Sequence, residues 1–284
     1  MKTLLKMPEL PEVQTIVNDL KAAGLIGATI IGAQVLWPRT ISGPSSNIFC
    51  QRIKQKKVTD IRRRGKYIVF DLSGPDHLLI HLRMTGRLHW VAPDQPRSKH
   101  EHVILHFQNQ YQLRFHDTRK FGRFYLVRDP EKIIGHLGPE PLAPSFTARV
   151  LADHINLRKR MLKPLLLDQS FIAGLGNIYV DEALWEAEIH PCRMASSLSK
   201  VEIKALHRAI CKVLKQGLKN LGTTLGAGQP NFCSVAKRKG RNRDQLKVFR
   251  RTDLPCHRCN SIVERMVVGQ RGTHICPQCQ MMAS

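Results

Sequence analysis

Cys256, Cys259, Cys276 and Cys279 stand near the end of the chain in the pattern C-x2-C-x16-C-x2-C. No other feature restricts the fold as much. Each short spacer lets one turn present two sulfurs, and two such pairs can enclose one Zn²⁺ in a tetrahedron. The stretch "IVERMVVGQRGTHICP" between and into the second pair suits a β-hairpin with "GQRG" at its tip. Four thiolates close the coordination shell, although His257 and His274 lie beside ligands and could substitute. A closed shell offers no position to substrate, so the metal is expected to be structural. This end of the chain has few bulky apolar residues, and the metal would hold it folded. Redox pairing is the alternative. Cys50, Cys192, Cys211 and Cys233 are scattered singly, and "MKTLLK" lacks the apolar core of a secretion signal. A reduced protein with one metal site is the simpler reading, with the four scattered cysteines as small buried hydrophobes.

The charge points to the partner. Lys and Arg number 45 against 22 Asp and Glu, a formal net charge of +23. The excess is clustered. "RIKQKKVTDIRRRGK" (52–66) and "VAKRKGRNRDQLKVFRR" (235–251) each hold eight basic residues and one acid. Neither reads as an amphipathic membrane helix, and no run of eighteen apolar residues exists to span a bilayer. A polyanion is the expected partner, with nucleic acid ahead of an anionic membrane and of a basic protein that is merely soluble.

The chain reads as two compositional halves. "PEVQTIVNDLKAAGL" places Val13, Ile16, Val17 and Leu20 at helical spacing after prolines suited to a helix start. Strand-like runs follow at 66–72, 77–84, 102–107, 111–115 and 122–127, spaced as in an antiparallel meander or sandwich. "GPEPLAPS" (138–145) reads as a linker. Beyond it, Ser199 and Glu202 make a capping box for a helix whose apolar face runs from Ile203 to Leu221, and Gly222 can end it. The expected fold is α+β and multidomain. Residues 1–7 are an extension or a mis-assigned start, 8–137 an antiparallel β-sandwich with flanking helices, and 138–146 a linker. Residues 147–245 form a helical domain, and 246–284 the zinc finger.

Five stretches, in order, resemble the formamidopyrimidine-DNA glycosylase family, the bifunctional repair enzymes for oxidised purines. They are "MPELPEVQT" (7–15), "HLRMTGRL" (81–88), "DTRKFGRF" (117–124), "DQSFIAGLGNIYVDEALW" (168–185) and the cysteine pattern. Pro8-Glu9-Leu10-Pro11 is closer to this family than to its sister, endonuclease VIII. The resemblance implies a helix–two-turns–helix domain after the β-sandwich, with damaged double-stranded DNA held between them. It also implies a monomer without membrane attachment, in the cytoplasm of a bacterial cell and associated with its nucleoid.

The resemblance makes Pro8, freed by loss of Met7, the nucleophile. An α-amino group titrates near pH 8, so a useful fraction is neutral at physiological pH. A proline nitrogen inside a peptide bond has no such lone pair. Glu9 becomes the acid/base carboxylate that protonates the sugar ring oxygen or relays protons, and Glu12, one turn along, supports it electrostatically. Helix initiation at Pro8 and a favourable charge at a helix start for Glu12 are the plainer readings. Lys66 matches a lysine on the phosphate near the lesion, and Lys163 a second lesion-proximal lysine. Met84, Arg119 and Phe121 match three residues that fill the gap left by an extruded base; core packing is the alternative for Met84 and Phe121. Asn177, after Gly174 and Gly176, matches an asparagine that grips the backbone, or it caps its helix. Arg271, at the predicted hairpin tip, is a phosphate contact or a solvated turn residue. The loop at 223–245 does not align with the family's lesion-capping loop. The rival reading is a non-catalytic zinc-finger DNA-binding protein or damage sensor that keeps residues 1–7; an RNA-binding protein is a third.

Overall fold

The computed structural model describes residues 7–156, 158–225 and 232–282. They fall into two compact units, the described parts of Met1–His136 with Leu221–Arg241, and of Leu137–Asn220 with Asn242–Ser284.

The first unit opens with helix α1 (Leu10–Ala22). Pro11 sits in its first turn, and the Glu12 carboxylate accepts the Glu9 N–H at 2.9 Å, so an orphan amide of the helix start is satisfied. Val13, Ile16, Val17 and Leu20 form the buried face that the spacing predicts. The strands are β1 (Thr29–Val35), β2 (Lys56–Arg64), β3 (Tyr67–Leu72), β4 (His77–His81), β5 (Arg87–Val91), β6 (Glu101–Phe107), β7 (Gln112–His116) and β8 (Arg123–Val127), with helix α2 (Ser46–Ile53) before β2 and α3 (Glu131–Ile134) after β8. All pair antiparallel in the order β5-β7-β6-β1-β2-β3-β4-β8. β1 and β2 meet through Thr29–Lys57 and Ile30–Lys56, a short seam between two four-stranded halves. Val103, Leu105 and Phe115 from one half and Ile61, Phe70, Ile80 and Phe124 from the other share a single core with α1 and with Phe49 and Ile53 of α2. This is the sandwich with flanking helices expected from the sequence.

Three strands were not legible beforehand. β2 lies inside the basic run 52–66. Val58 and Ile61 both point inward although three residues apart, because a bulge between Val58 and Asp60 shifts the register. That breaks the alternation by which a strand is recognised. β1 carries only half-buried or exposed side chains apart from Ile30, and β5 is five residues long.

The described residues of 221–241 follow the helical region in sequence but pack with the first unit, where the sequence division had placed them with the helices. The cause is α1. The Glu12 carboxylate accepts the Thr223 N–H at 2.6 Å, and buried Asp19 accepts the Ala236 N–H at 3.0 Å and pairs with Arg238. Phe232 and Val235 enter the sandwich core. Gly222 has φ +83°, and a Cβ there would lie 2.8 Å from the Glu12 carboxylate, so this close approach requires glycine.

The second unit contains α4 (Ala148–Asn156), α5 (Leu162–Leu167), α6 (Asn177–Glu186) and α7 (Lys200–Lys219), then the hairpin β9 (Glu264–Val268) and β10 (Arg271–Ile275). The Ser199–Glu202 capping box forms as expected, with Ser199 Oγ accepting the Glu202 N–H at 3.2 Å and the Glu202 carboxylate accepting the Ser199 N–H at 2.7 Å. Residues 138–146 are not a free linker. The Gly138 N–H donates to the Gln169 carbonyl at 2.9 Å, the Pro139 carbonyl accepts from Ala173 at 3.1 Å, and Phe146 is buried. Prolines there stiffen a packed segment.

Candidate active site and nucleic-acid interface

In the first unit, Pro8, Glu9 and Glu12 gather at the start of α1. All three are buried, Glu9 and Glu12 each 2% exposed. The two oxygens of Glu12 accept from Glu9 and Thr223, which fixes the turn carrying Pro8 and Glu9. Lys66 sits in the tight turn between β2 and β3, after Gly65 at φ +55°, and is 5% exposed. Its charge bears on buried His81. Burial first, then the cations Arg83 and Lys66, lower that imidazole to about 3. His81 Nδ1 accepts the Arg83 N–H at 3.1 Å, which places the ring proton on Nε2. Acidification below about pH 6.5, the ordinary imidazole value, thus favours the unfolded chain, whose His81 takes the proton. His81→Gln is expected to flatten the loss of stability between about pH 6.5 and 4, read from denaturation midpoints.

Met84, Arg119 and Phe121 converge. Arg119 Nη1 lies 3.1 Å from Met84 Sδ, and the guanidinium sits 4.7 Å from the centre of the Phe121 ring. Phe121 is 44% exposed and Met84 half-buried, so neither is a core residue. A thioether, a guanidinium and an aromatic face held together at the surface form a group that can enter a base stack.

In the second unit, Lys163, Asn177 and Arg271 meet at the hairpin. Asn177 is the first residue of α6, with Gly176 as its cap, so its side chain does not cap the helix. Asn177 Nδ2 donates to the Gly272 carbonyl at 2.8 Å, and Lys163 Nζ donates to the same carbonyl at 3.2 Å. Arg271, next along, is exposed at the tip. Lys163 is not at the surface. It is fully buried and ion-paired with Asp181 of α6 at 2.5 Å, and Asp181 Oδ2 also accepts the His274 N–H at 3.0 Å. The structure thus places Lys163 beneath the hairpin, on the same Gly272 carbonyl that Asn177 holds. Asp181→Ala would strand a buried ammonium and is expected to cost about 3–5 kcal/mol of stability, measured by calorimetry.

The cysteine sulfurs all lie within 4.8 Å of one another. Cys256–Cys279, Cys259–Cys276 and Cys259–Cys279 are 3.9, 3.4 and 3.5 Å apart. A tetrahedron with Zn–S bonds of about 2.3 Å needs edges of about 3.8 Å, so the group fits one Zn²⁺ with its shell closed. Cys256 Sγ accepts the Trp185 indole N–H at 3.3 Å, which ties the site to α6. Partial burial pushes the Cys50, Cys192 and Cys211 thiols up, so they stay protonated, but the four scattered cysteines are half-buried and not the fully buried groups expected from the sequence.

Sequence reasoning passed over several residues that hold these sites. Asp117 is fully buried beneath Arg119. Glu182, beside Asp181, accepts the N–H groups of Lys247, Val248 and Phe249 at 2.8–3.0 Å, and burial raises its carboxyl. Two adjacent acids within the apolar helix "IYVDEALW" were the available signal, since buried carboxylates there need partners.

Comparison with known proteins bears on the whole chain. Residues 7–124 match the formamidopyrimidine-DNA glycosylase N-terminal domain, residues 137–227 the H2TH domain of that glycosylase, and residues 253–280 the zinc finger found in FPG and IleRS. The formamidopyrimidine-DNA glycosylase of Protochlamydia amoebophila is 52% identical over 274 residues, which cover 96% of this chain and 99% of that one. A mutant Lactococcus lactis FPG, solved with a Fapy-dG containing DNA, superimposes with a TM-score of 0.89 at 33% identity, covering 97% of this chain and 100% of that chain. MutM in complex with carbocyclic 8-oxo-G containing DNA gives 0.89 at 33% identity over the same shares.

Proposed function

Because the chain belongs to the formamidopyrimidine-DNA glycosylase family, we propose that it excises oxidised purines from duplex DNA and nicks the abasic site through Pro8. Its partner is damaged double-stranded DNA and its cofactor is one structural Zn²⁺. The observation that carries this reading is the run of family matches along almost the entire chain, beginning at Met7, with Pro8 and Glu9 buried together at the start of α1.

The chemistry starts from Pro8 as the first residue, a neutral secondary amine. Its lone pair attacks the C1′ of the damaged nucleotide. The glycosidic bond breaks, its electron pair leaves with the base, and the base takes up a proton. The amine sheds its own proton. The C1′–O4′ bond then opens, O4′ takes a proton from Glu9, and the nitrogen lone pair forms the iminium. That positive charge acidifies C2′. Loss of the C2′ proton expels the 3′ phosphate, a second elimination expels the 5′ phosphate, and water hydrolyses the iminium to return the amine. Lys66, Asn177 and Arg271 grip phosphates near the lesion. Met84, Arg119 and Phe121 fill the stack as the base leaves it, at a cost of about a few kcal/mol for extrusion. Glu12 and Lys163 act through other residues.

Incubation with an 8-oxoguanine duplex and borohydride is expected to give a covalent protein–DNA adduct. Its absence would leave the non-catalytic zinc-finger reading in place. Binding is also expected to weaken about 10³-fold between 50 and 200 mM salt if about six phosphates are held, read by fluorescence anisotropy. A flat response would count against a phosphate-gripping interface. No helix among the described residues is long and apolar enough to cross a membrane. The similar proteins come from bacteria, and we place the protein's work at the bacterial nucleoid, as a monomer.

A further inference from the structure

The surface group formed by Met84, Arg119 and Phe121 is held by a carboxylate beneath it. Asp117 follows β7 and is fully buried. Its Oδ1 accepts the Arg119 N–H at 3.1 Å and the Thr85 hydroxyl, and its Oδ2 accepts the Gly122 N–H at 2.7 Å. Thr85 Oγ1 also accepts the Arg119 N–H at 3.2 Å. The Asp117 carbonyl accepts His102 Nε2–H at 2.7 Å, and the Asp117 N–H donates to the His100 carbonyl at 2.9 Å. One buried side chain thus joins the turn bearing Arg119 and Phe121 to the turn bearing Met84. Glycines permit the approach, since a Cβ at Gly122 or at Gly86 would strike the Phe115 ring. From outside, the Lys120 ammonium lies 3.8 Å from the centre of the Trp37 ring, which steadies a residue held at φ +59°.

The geometry points to Asp117, with Thr85, as the positioning residue for reading the base opposite the lesion. This rests on the reading of Arg119, Met84 and Phe121 as the group that fills the vacated stack. Arg119 is long and exposed, and alone its guanidinium would sweep a wide volume. Discrimination among opposite bases needs it aimed to within a fraction of an ångström, and a misplacement of about 1 Å can cost about 10²-fold. Asp117 supplies that aim without touching DNA. Asparagine cannot replace it, because a carboxylate accepts at both oxygens whereas an amide turns a donor toward either Gly122 N–H or the Thr85–Arg119 donors.

The test compares Arg119→Ala, Asp117→Asn, Thr85→Val and Thr85→Ser. Single-turnover excision of 8-oxoguanine is measured opposite each of the four bases, and borohydride trapping is measured at a preformed abasic site. Arg119→Ala is expected to bring the opposite-base ratios toward unity. Asp117→Asn should lower excision about 10²-fold and compress the same ratios about tenfold. Thr85→Val should do so several-fold, and Thr85→Ser, which keeps the hydroxyl, should restore the parent ratios. Trapping at the abasic site should stay within about twofold for the Asp117 and Thr85 variants, since neither side chain is placed on DNA or on C1′. Should Arg119→Ala erase the ratios while Asp117→Asn and Thr85→Val keep them, the positioning role is wrong and the reading of Arg119 stands. Should Arg119→Ala itself leave the ratios intact, both fall. If Asp117→Asn does not fold, the Val and Ser variants of Thr85 decide alone.

Discussion

A chain in which Met7 still precedes Pro8 should form no borohydride-stable adduct with an 8-oxoguanine duplex, while a chain beginning at Pro8 should be captured. The difference is electronic. In a peptide bond the proline nitrogen shares its lone pair with a carbonyl and cannot bond to C1′. Freed, it is an amine that titrates near pH 8, with a reactive fraction at neutral pH. Removal of a covalent nucleophile is expected to lower excision by about 10³-fold or more, with duplex affinity changed far less, because the phosphate grip lies in other residues. Intact-mass measurement of the two chains, followed by trapping and single-turnover nicking, checks this. Full-rate nicking by a chain still carrying Met7 would overturn the assignment of Pro8. Glu9→Gln makes a useful contrast, since it keeps the amine but withdraws the acid that opens the sugar ring.

Loss of the zinc is expected to have the second largest effect. The apolar core about the finger is small, with Val248, Val263 and Trp185 of α6 packed about Cys256 and Cys276. Such a cluster supplies a few kcal/mol at most, whereas structural Zn²⁺ contributes an apparent 10–16 kcal/mol in small fingers. Mercurial titration should release one Zn²⁺ per chain, and Cys276→Ser should weaken duplex binding about 10²-fold as the hairpin loses its frame. The Gly272 carbonyl, which Asn177 and Lys163 hold, and Arg271 at the tip both depend on that frame. The salt slope should also become shallower, by about one unit for each phosphate that the protein no longer grips. A protein that keeps its affinity after stoichiometric zinc release would show that the hairpin is not part of the grip.

What could be read beforehand divides along physical lines. Local rules sufficed where one segment carries its own information. The capping box at Ser199 and Glu202, the periodic face of α1, and the cysteine spacing each depend on neighbours a few residues away, and each forms as expected. Long-range partnerships were invisible. Lys163 reads as a cation before a proline, yet its buried partner Asp181 and the Gly272 carbonyl come from distant parts of the chain. Asp117 carries no local sign of its role, and only the fold brings Thr85 to it. β2 was hidden by its bulge and its charges together. Met84 and Phe121 were ambiguous between core and surface because hydrophobicity cannot say which side of a sheet end a loop occupies; their exposure resolves it.

The return of residues 221–241 to α1 has a consequence for synthesis. Thr223, Phe232, Ala236 and Arg238 complete the first unit from more than two hundred positions downstream of the helix they bind. A nascent polypeptide that has left the ribosome only as far as its first 136 residues holds Glu12 and Asp19 facing an interior with these partners still missing. The amino-terminal sandwich can therefore complete its core only after the helical region has been translated, and a fragment cut at residue 136 would lack Phe232 and Val235 from that core and the downstream partners of Glu12 and Asp19.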